Sequence, residues 1–160
     1  MIGSTNISCP APTSILSEHK ATPELMAAFS KRATEIKCDI ARVLFQHGES
    51  GNGVYLVRSG DVLLTMPISS AHAMGFRATA GSLVGLPATF GNAPYSMTAL
   101  AQSGSVLEHM DRETFLRTLI ERPTLAIDLL AILAAETRSA RIAIVDLGSR
   151  RRGLKRKGLA

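Results

Sequence analysis

Between Ala78 and Leu107 the chain carries no Asp, Glu, Lys, Arg or His. Inside this uncharged window lies GSLVGLPATFGNAPYSMTA, Gly81 to Ala99. Its order is a glycine turn, a short helix start, a small loop and a β-rich run. That is the order of a cradle in which backbone N–H groups receive a phosphate or another anion. A buried phosphate without a paired cation is costly, by several kcal/mol. Tyr95 can donate one hydrogen bond but cannot neutralise charge, and Pro87 has no N–H to give. Three readings follow. The stretch is a structural corner, with Gly81, Gly85 and Gly91 as turns and Leu86 and Phe90 as core plugs. Or it is a pocket for a neutral, largely apolar ligand. Or it is an anion site whose cation, Arg58 or Arg77, reaches in from a neighbouring strand.

Other chemistry finds little support. The histidines, His19, His47, His72 and His109, are scattered, with no His-x-His pair for a metal. Cys9 and Cys38 form neither a disulfide framework nor a metal knuckle; Cys9 is expected as a free thiol and Cys38 as core. There is no Gly-x-Ser-x-Gly elbow and no Walker loop. The expectation is a protein without catalytic residues, metal or cofactor.

The elements that must position the uncharged stretch are mostly strands. Residues 1–21 are rich in Ser, Thr and Pro and read as a flexible arm. Thr22 caps a helix over Pro23 to Ser30, with Pro23 in its first turn. ATEIKCDI and ARVLFQHG are strand-like, and VYLVRSGDVLLTM reads as two strands in a hairpin at Ser59-Gly60. Residues 67–75 are expected as a loop, GFRATAG as a short strand, and YSMTALA and SVLEHM as two more. Asp111 then caps a helix, RETFLRTLIER, and Pro123 opens a last helix that runs toward Gly148. Many short strands with Gly-rich turns imply a barrel or jelly roll with flanking helices. The boundaries are a β domain over 22–122, a long helix over 123–148 and a basic tail over 149–160.

The last helix is apolar on two faces, and a helix of that kind needs two partners. One is its own barrel. The other is the same helix of a second subunit in a two-fold contact, with Leu129, Ile132, Leu133, Ala140 and Ala143 as the interface. The alternative is a helix buried within one subunit. The formal net charge of +5 is mostly tail, because six of the 18 Lys and Arg lie between Arg150 and Lys157. No apolar run approaches the ~18 residues of a membrane span. With no recognisable signal peptide, a reducing cytoplasm is the expected setting.

VLFQHGESGNGVYLVRSGDVLLTM, with Gly48, Glu49, Gly53, Tyr55, Gly60 and Val62, closely resembles the first half of the cyclic nucleotide-binding β-roll. This is the sensor domain of CRP/FNR-type bacterial regulators. GSLVGLPATFGNAPYSMTA falls where that family keeps its phosphate-binding cassette, and SVLEHMDRETFLRTLIERP matches the strands and helix that follow. The resemblance covers roughly residues 23–145. It implies a double-stranded β-helix, a regulatory role and a dimer helix at the end. It also implies departures. Leu86 stands where the family has a Glu for the ribose hydroxyl, and Tyr95 where it has an Arg for the cyclic phosphate. On this resemblance the pocket is expected from Gly85, Leu86, Pro87, Ala88, Tyr95 and Ser96, with Met97 as a further lining candidate and Thr137 and Ser139 closing it from the last helix. An unknown small-molecule effector is the expected ligand, and conventional cyclic AMP binding is not expected. An interaction dimer with a collapsed pocket is the competing reading. After Gly148 the sequence holds too little for a winged helix-turn-helix, so no sequence-specific DNA binding is expected, only weak phosphate contact by the basic tail.

Overall fold

The computed structural model describes residues 14–15, 19–70 and 72–157. Its elements are β1 (Ser14–Ile15), α1 (Pro23–Ser30), β2 (Thr34–Cys38), β3 (Arg42–Phe45), β4 (Gly53–Ser59), β5 (Asp61–Ser69), β6 (His72–Thr79), β7 (Leu83–Val84), α2 (Leu86–Gly91), β8 (Thr98–Ala101), β9 (Ser105–Asp111), α3 (Arg112–Glu121) and α4 (Thr124–Lys157). One sheet has the order β1-β6-β5-β8-β3 and the other β2-β9-β4-β7. All pairs are antiparallel except β1 with β6. The result is a β-roll flanked by helices.

The helix starts follow from local chemistry. The Thr22 hydroxyl accepts from the Leu25 N–H at 3.2 Å, and the Asp111 carboxylate accepts from the Thr114 N–H at 2.9 Å. Each satisfies an N–H that the first helical turn leaves without a partner. Thr22 also donates to Asp128 at 2.8 Å, which ties the start of α1 to α4.

Strand β4 explains how two cores coexist. From Gly53 to Val57 every residue is buried. Because side chains alternate across a strand, Val54 and Leu56 enter one core with Leu25, Phe29, Leu86, Phe115, Leu125 and Leu129. Tyr55 and Val57 enter the other with Phe45, Leu64, Phe76, Tyr95 and Leu107. The strand therefore reads as a continuous apolar run, as a strand covered on both faces must.

The structure corrects three expectations. Ser59-Gly60 is not a hairpin turn: β4 pairs with β7 and β9, while β5 pairs with β6 and β8, so the chain crosses between sheets there. Gly60 has φ of +78°, and a Cβ on it would lie 2.4 Å from the Ser105 Oγ and 2.7 Å from its Cα. Ser105 pins the corner by accepting from the Asp61 N–H and donating to the Asp61 carbonyl, both at 3.1 Å. The loop expected over 67–75 is mostly ladder, with β5 and β6 paired from Asp61–Thr79 out to Ser69–His72. Helix α4 continues beyond Gly148 to Lys157, so the backbone of the basic stretch is helical; a glycine inside a helix costs only about 1 kcal/mol.

Part of the stretch expected as an arm is tied to the roll. Ser14–Ile15 pair with Phe76 and Arg77, Ala21 N–H donates to the Gly81 carbonyl, and Lys20 donates to Thr79 and Ser82. Residues 1–13, Cys9 among them, lie outside the described residues. Cys38 is buried and unpaired, as expected.

Candidate functional site

The uncharged stretch wraps one end of the roll. Strand β7 ends at Val84, Gly85 turns the chain with φ of +84°, and α2 runs only from Leu86 to Gly91. Asn92 closes it in the left-handed region. A side chain at 85 would strike the Tyr95 ring at 2.9 Å, so the turn and the tyrosine are fitted to each other.

Between this turn and α4 lies a cavity of about 50 Å³. It is lined by Phe45, Leu64, Val84, Gly85, Pro87, Ala88, Tyr95, Ser96, Met97 and Glu136. For comparison, a cavity of roughly 150 Å³ is needed to hold benzene. Five of the eight residues named from the sequence line it: Gly85, Pro87, Ala88, Tyr95 and Ser96. Met97, the further candidate, does too.

The other three lie elsewhere. Leu86 is fully buried in the second core with Phe29 and Leu129, because the first residue of α2 turns its side chain away from the cavity. Thr137 is exposed, and its hydroxyl donates to the Leu133 carbonyl one turn back. Ser139 is half-buried but off the cavity wall. The α4 residue that reaches the cavity is Glu136. A sequence signal existed for it. Leu125, Leu129, Ile132 and Glu136 follow the 4-3-4 spacing of a single helix face, and the first three are buried against the roll.

Tyr95 is a structural plug. Its ring stacks on Phe45 with centroids 3.7 Å apart and planes at 12°. Its hydroxyl lies 2.9 Å from both the Asn52 Oδ1 and the Gly53 carbonyl, to which it donates. It accepts from the N–H groups of Asn52 and Gly53 at 3.2 and 3.3 Å. A phenol so engaged has no donor left for a ligand.

Among the described residues no Lys, Arg or His lines the cavity. Arg58 faces Glu108 at 3.7 Å, and Arg77 is paired with Asp61 on the outer side of β6. Arg112 reaches α2 from outside the cavity and donates to the Thr89 carbonyl at 3.0 Å. The ionisable group that does enter is an acid. Burial lifts the Glu136 carboxyl from 4.5 to about 7, because a low-dielectric surround disfavours the charged form. Nearby, burial also pushes the Tyr55 phenol up and the His109 imidazole down. The His109 Nε2 is buried without a hydrogen-bond partner. Among the described residues no cluster of His, Cys, Asp or Glu is arranged to hold a metal, and no helix is long and apolar enough to cross a membrane.

The family model for the cyclic nucleotide-binding domain matches residues 38–122, more than half of the chain. The chain belongs to the cyclic nucleotide-binding domain family. Among solved structures it is similar to the catabolite activator protein of Thermus thermophilus, with 26% identity and a TM-score of 0.68 over 81% of this chain and 62% of that one. The chain thus spans less than two thirds of that regulator's length. It is similar in fold to the N-terminal domain of a transcriptional regulator from Streptomyces coelicolor, at 24% identity and a TM-score of 0.54 over 75% of this chain and 81% of that one. The sensor domain of the regulator DNR from Pseudomonas aeruginosa shares the fold at 24% identity and a TM-score of 0.57, over 76% of this chain and 82% of that one. No curated protein matches. Within that fold, Tyr95 stacks on Phe45 and Glu136 of α4 lies on the cavity wall.

The residues expected at a dimer interface are all at least half-buried within the chain. Leu129 and Ile132 are 1% and 2% exposed, packed within the chain's own second core. Leu133 is half-buried against the same core, Ala143 against the other, and Ala140 is half-buried. Among the described residues, the large apolar side chains of α4 left exposed are Ile127, Leu130, Ile142, Ile144 and Val145.

Proposed function

We propose that this chain is a regulatory ligand-sensing domain, not an enzyme, whose cassette no longer accepts a cyclic nucleotide in the family's manner. The observation that carries this reading is that Tyr95 and Glu136 both line the cavity. One has its hydroxyl engaged by Asn52 and Gly53; the other offers a carboxyl where the family's reading calls for a cation. A phosphate beside that carboxylate would meet repulsion as well as desolvation. The likeness to regulators of transcription supports a regulatory role.

Helix α4 is the proposed output element and dimer contact. Ile127, Leu130, Ala134, Thr137, Arg141 and Ile144 are all exposed, and their 3-4 spacing is that of a coiled-coil seam. A second copy of α4 would cover them, so the interface moves to this stripe from the Leu129 and Ile132 face. The basic residues after Ser149 would give salt-sensitive contact to phosphates without base readout. The buried, unpaired Cys38 accords with a reducing, cytoplasmic setting.

The small cavity favours a second reading, in which the domain is a dimeric interaction module and the pocket is closed. Titration calorimetry with cyclic AMP and cyclic GMP, alongside light scattering for mass, tests the proposal. Neither nucleotide should bind and the mass should be that of a dimer. Micromolar nucleotide binding would refute the reading of the cassette.

A further inference from the structure

We infer that the cavity takes a small ligand with an apolar body and one protonated nitrogen, an alkylammonium or amidinium, seated with that nitrogen on the Glu136 carboxylate. The inference rests on reading the cassette as a ligand-sensing pocket and names the class of ligand.

The cavity is apolar over most of its surface. Its walls are hydrocarbon, aromatic ring and thioether from Phe45, Leu64, Val84, Pro87 and Met97. The other titratable group on the wall is Tyr95, whose hydroxyl is held by Asn52 and Gly53. Positions one turn away from Glu136 on α4 are Ile132, Leu133, Ser139 and Ala140, none of them charged. Among the described residues no cation lines the cavity beside the carboxyl, and burial raises its pKa to about 7. A buried carboxylate regains what it lost in hydration only from a cation or from several N–H donors. A phosphate, carboxylate or sulfate offers neither. The uncharged stretch from Ala78 to Leu107 then makes sense as the apolar part of the same site: it was the wrong place to look for charge, because the charge arrives from α4 and has the opposite sign.

Size sets a second limit. With about 50 Å³ against the roughly 150 Å³ that benzene needs, the cavity holds about two to four non-hydrogen atoms. A ligand that small binds no tighter than about millimolar. Ethylammonium is a suitable probe. It stays protonated through neutral pH, like a lysine side chain, and ethanol and acetate are its neutral and anionic counterparts of similar size.

The experiment is a titration of the full chain with ethylammonium chloride at constant ionic strength, followed by the amide signals of Gly85, Ala88 and Met97 in proton–nitrogen correlation spectra. At pH 8 these signals should shift and saturate. From pH 8 to pH 6 the ionised fraction of a group titrating near 7 falls about tenfold, and the affinity should fall with it. In Glu136→Gln the saturable shift should vanish, and ethanol and acetate should produce none. The inference is overturned if ethylammonium gives no saturable shift at pH 8. It is overturned equally if binding ignores pH, survives in Glu136→Gln, or is matched by ethanol or acetate. The pH comparison uses the wild-type chain, so it decides even if the variant folds poorly. A parallel titration with cyclic AMP separates the two readings. Saturable shifts with cyclic AMP would sink the proposed function, whereas their absence beside a failed amine titration would sink only the ligand class.

Discussion

The phenol ring of Tyr95 lies flat on Phe45, centroids 3.7 Å apart, while its hydroxyl bridges Asn52 and Gly53 on the loop leading into β4. The residue is 2% exposed. It ties the cassette to β3 and to the start of β4 at once.

That tie has a measurable worth. Tyr95→Phe keeps the stack and leaves the N–H and carbonyl of Gly53 without the hydroxyl. It should lower stability by about 1–3 kcal/mol. Tyr95→Ala removes the ring as well and should cost about 3–5 kcal/mol. Urea unfolding followed by circular dichroism measures both. A Phe variant as stable as wild type would show that the hydroxyl's bonds contribute nothing net.

Glu136 should make stability depend on pH. Its carboxyl is raised from 4.5 to about 7 in the folded state, so between these values the folded chain holds a proton that the unfolded chain has released. The stabilising contribution is full below about 4.5 and is lost as pH rises through 7. The size is on the order of 2–3 kcal/mol. His109, whose imidazole is pushed down by burial, acts in the opposite sense as pH falls below its ordinary 6.5. Subtracting the curve for Glu136→Gln isolates the carboxyl. The difference should open between pH 5 and 8, with the variant the more stable of the two at pH 8. A flat difference curve would mean that Glu136 is as well hydrated in the folded chain as in the unfolded one.

Much of the fold was legible because its signals are local. Thr22 with Pro23, and Asp111 before an amphipathic run, mark helix starts whatever the chain does elsewhere. The uncharged stretch announced the cassette in the same way. What stayed hidden depends on distant partners. Ser59-Gly60 looks the same in a hairpin and in a corner between sheets, and only the pairing of β4 with β9 decides. Leu86 and Pro87 are adjacent, yet one faces the second core and the other the cavity, which a six-residue helix does not advertise. Glu136 was readable as the limit of an apolar run and, by its spacing from Leu129 and Ile132, as a member of the buried face. Its neighbours Thr137 and Ser139 lie off the cavity wall.

The two faces of α4 should respond differently to charge. Ile127→Glu with Leu130→Glu, at positions 70% and 59% exposed, should give a folded monomer by light scattering with an unchanged melting profile apart from the loss of dimer linkage. Leu129→Glu places a charge in a core position that is 1% exposed and should unfold the chain or render it insoluble. If the first pair left a dimer intact, the proposed seam would be elsewhere.

On the proposed reading, this cassette has exchanged anion chemistry for a plug and a carboxyl. Thermal unfolding with ~1 mM cyclic AMP or cyclic GMP decides it. A nucleotide with a Kd of ~10 μM would add about 2.7 kcal/mol, which for a chain of this size is a rise in Tm of roughly 5–10 °C. A change under about 1 °C for both nucleotides is the predicted result, and a rise of several degrees with either one would contradict it.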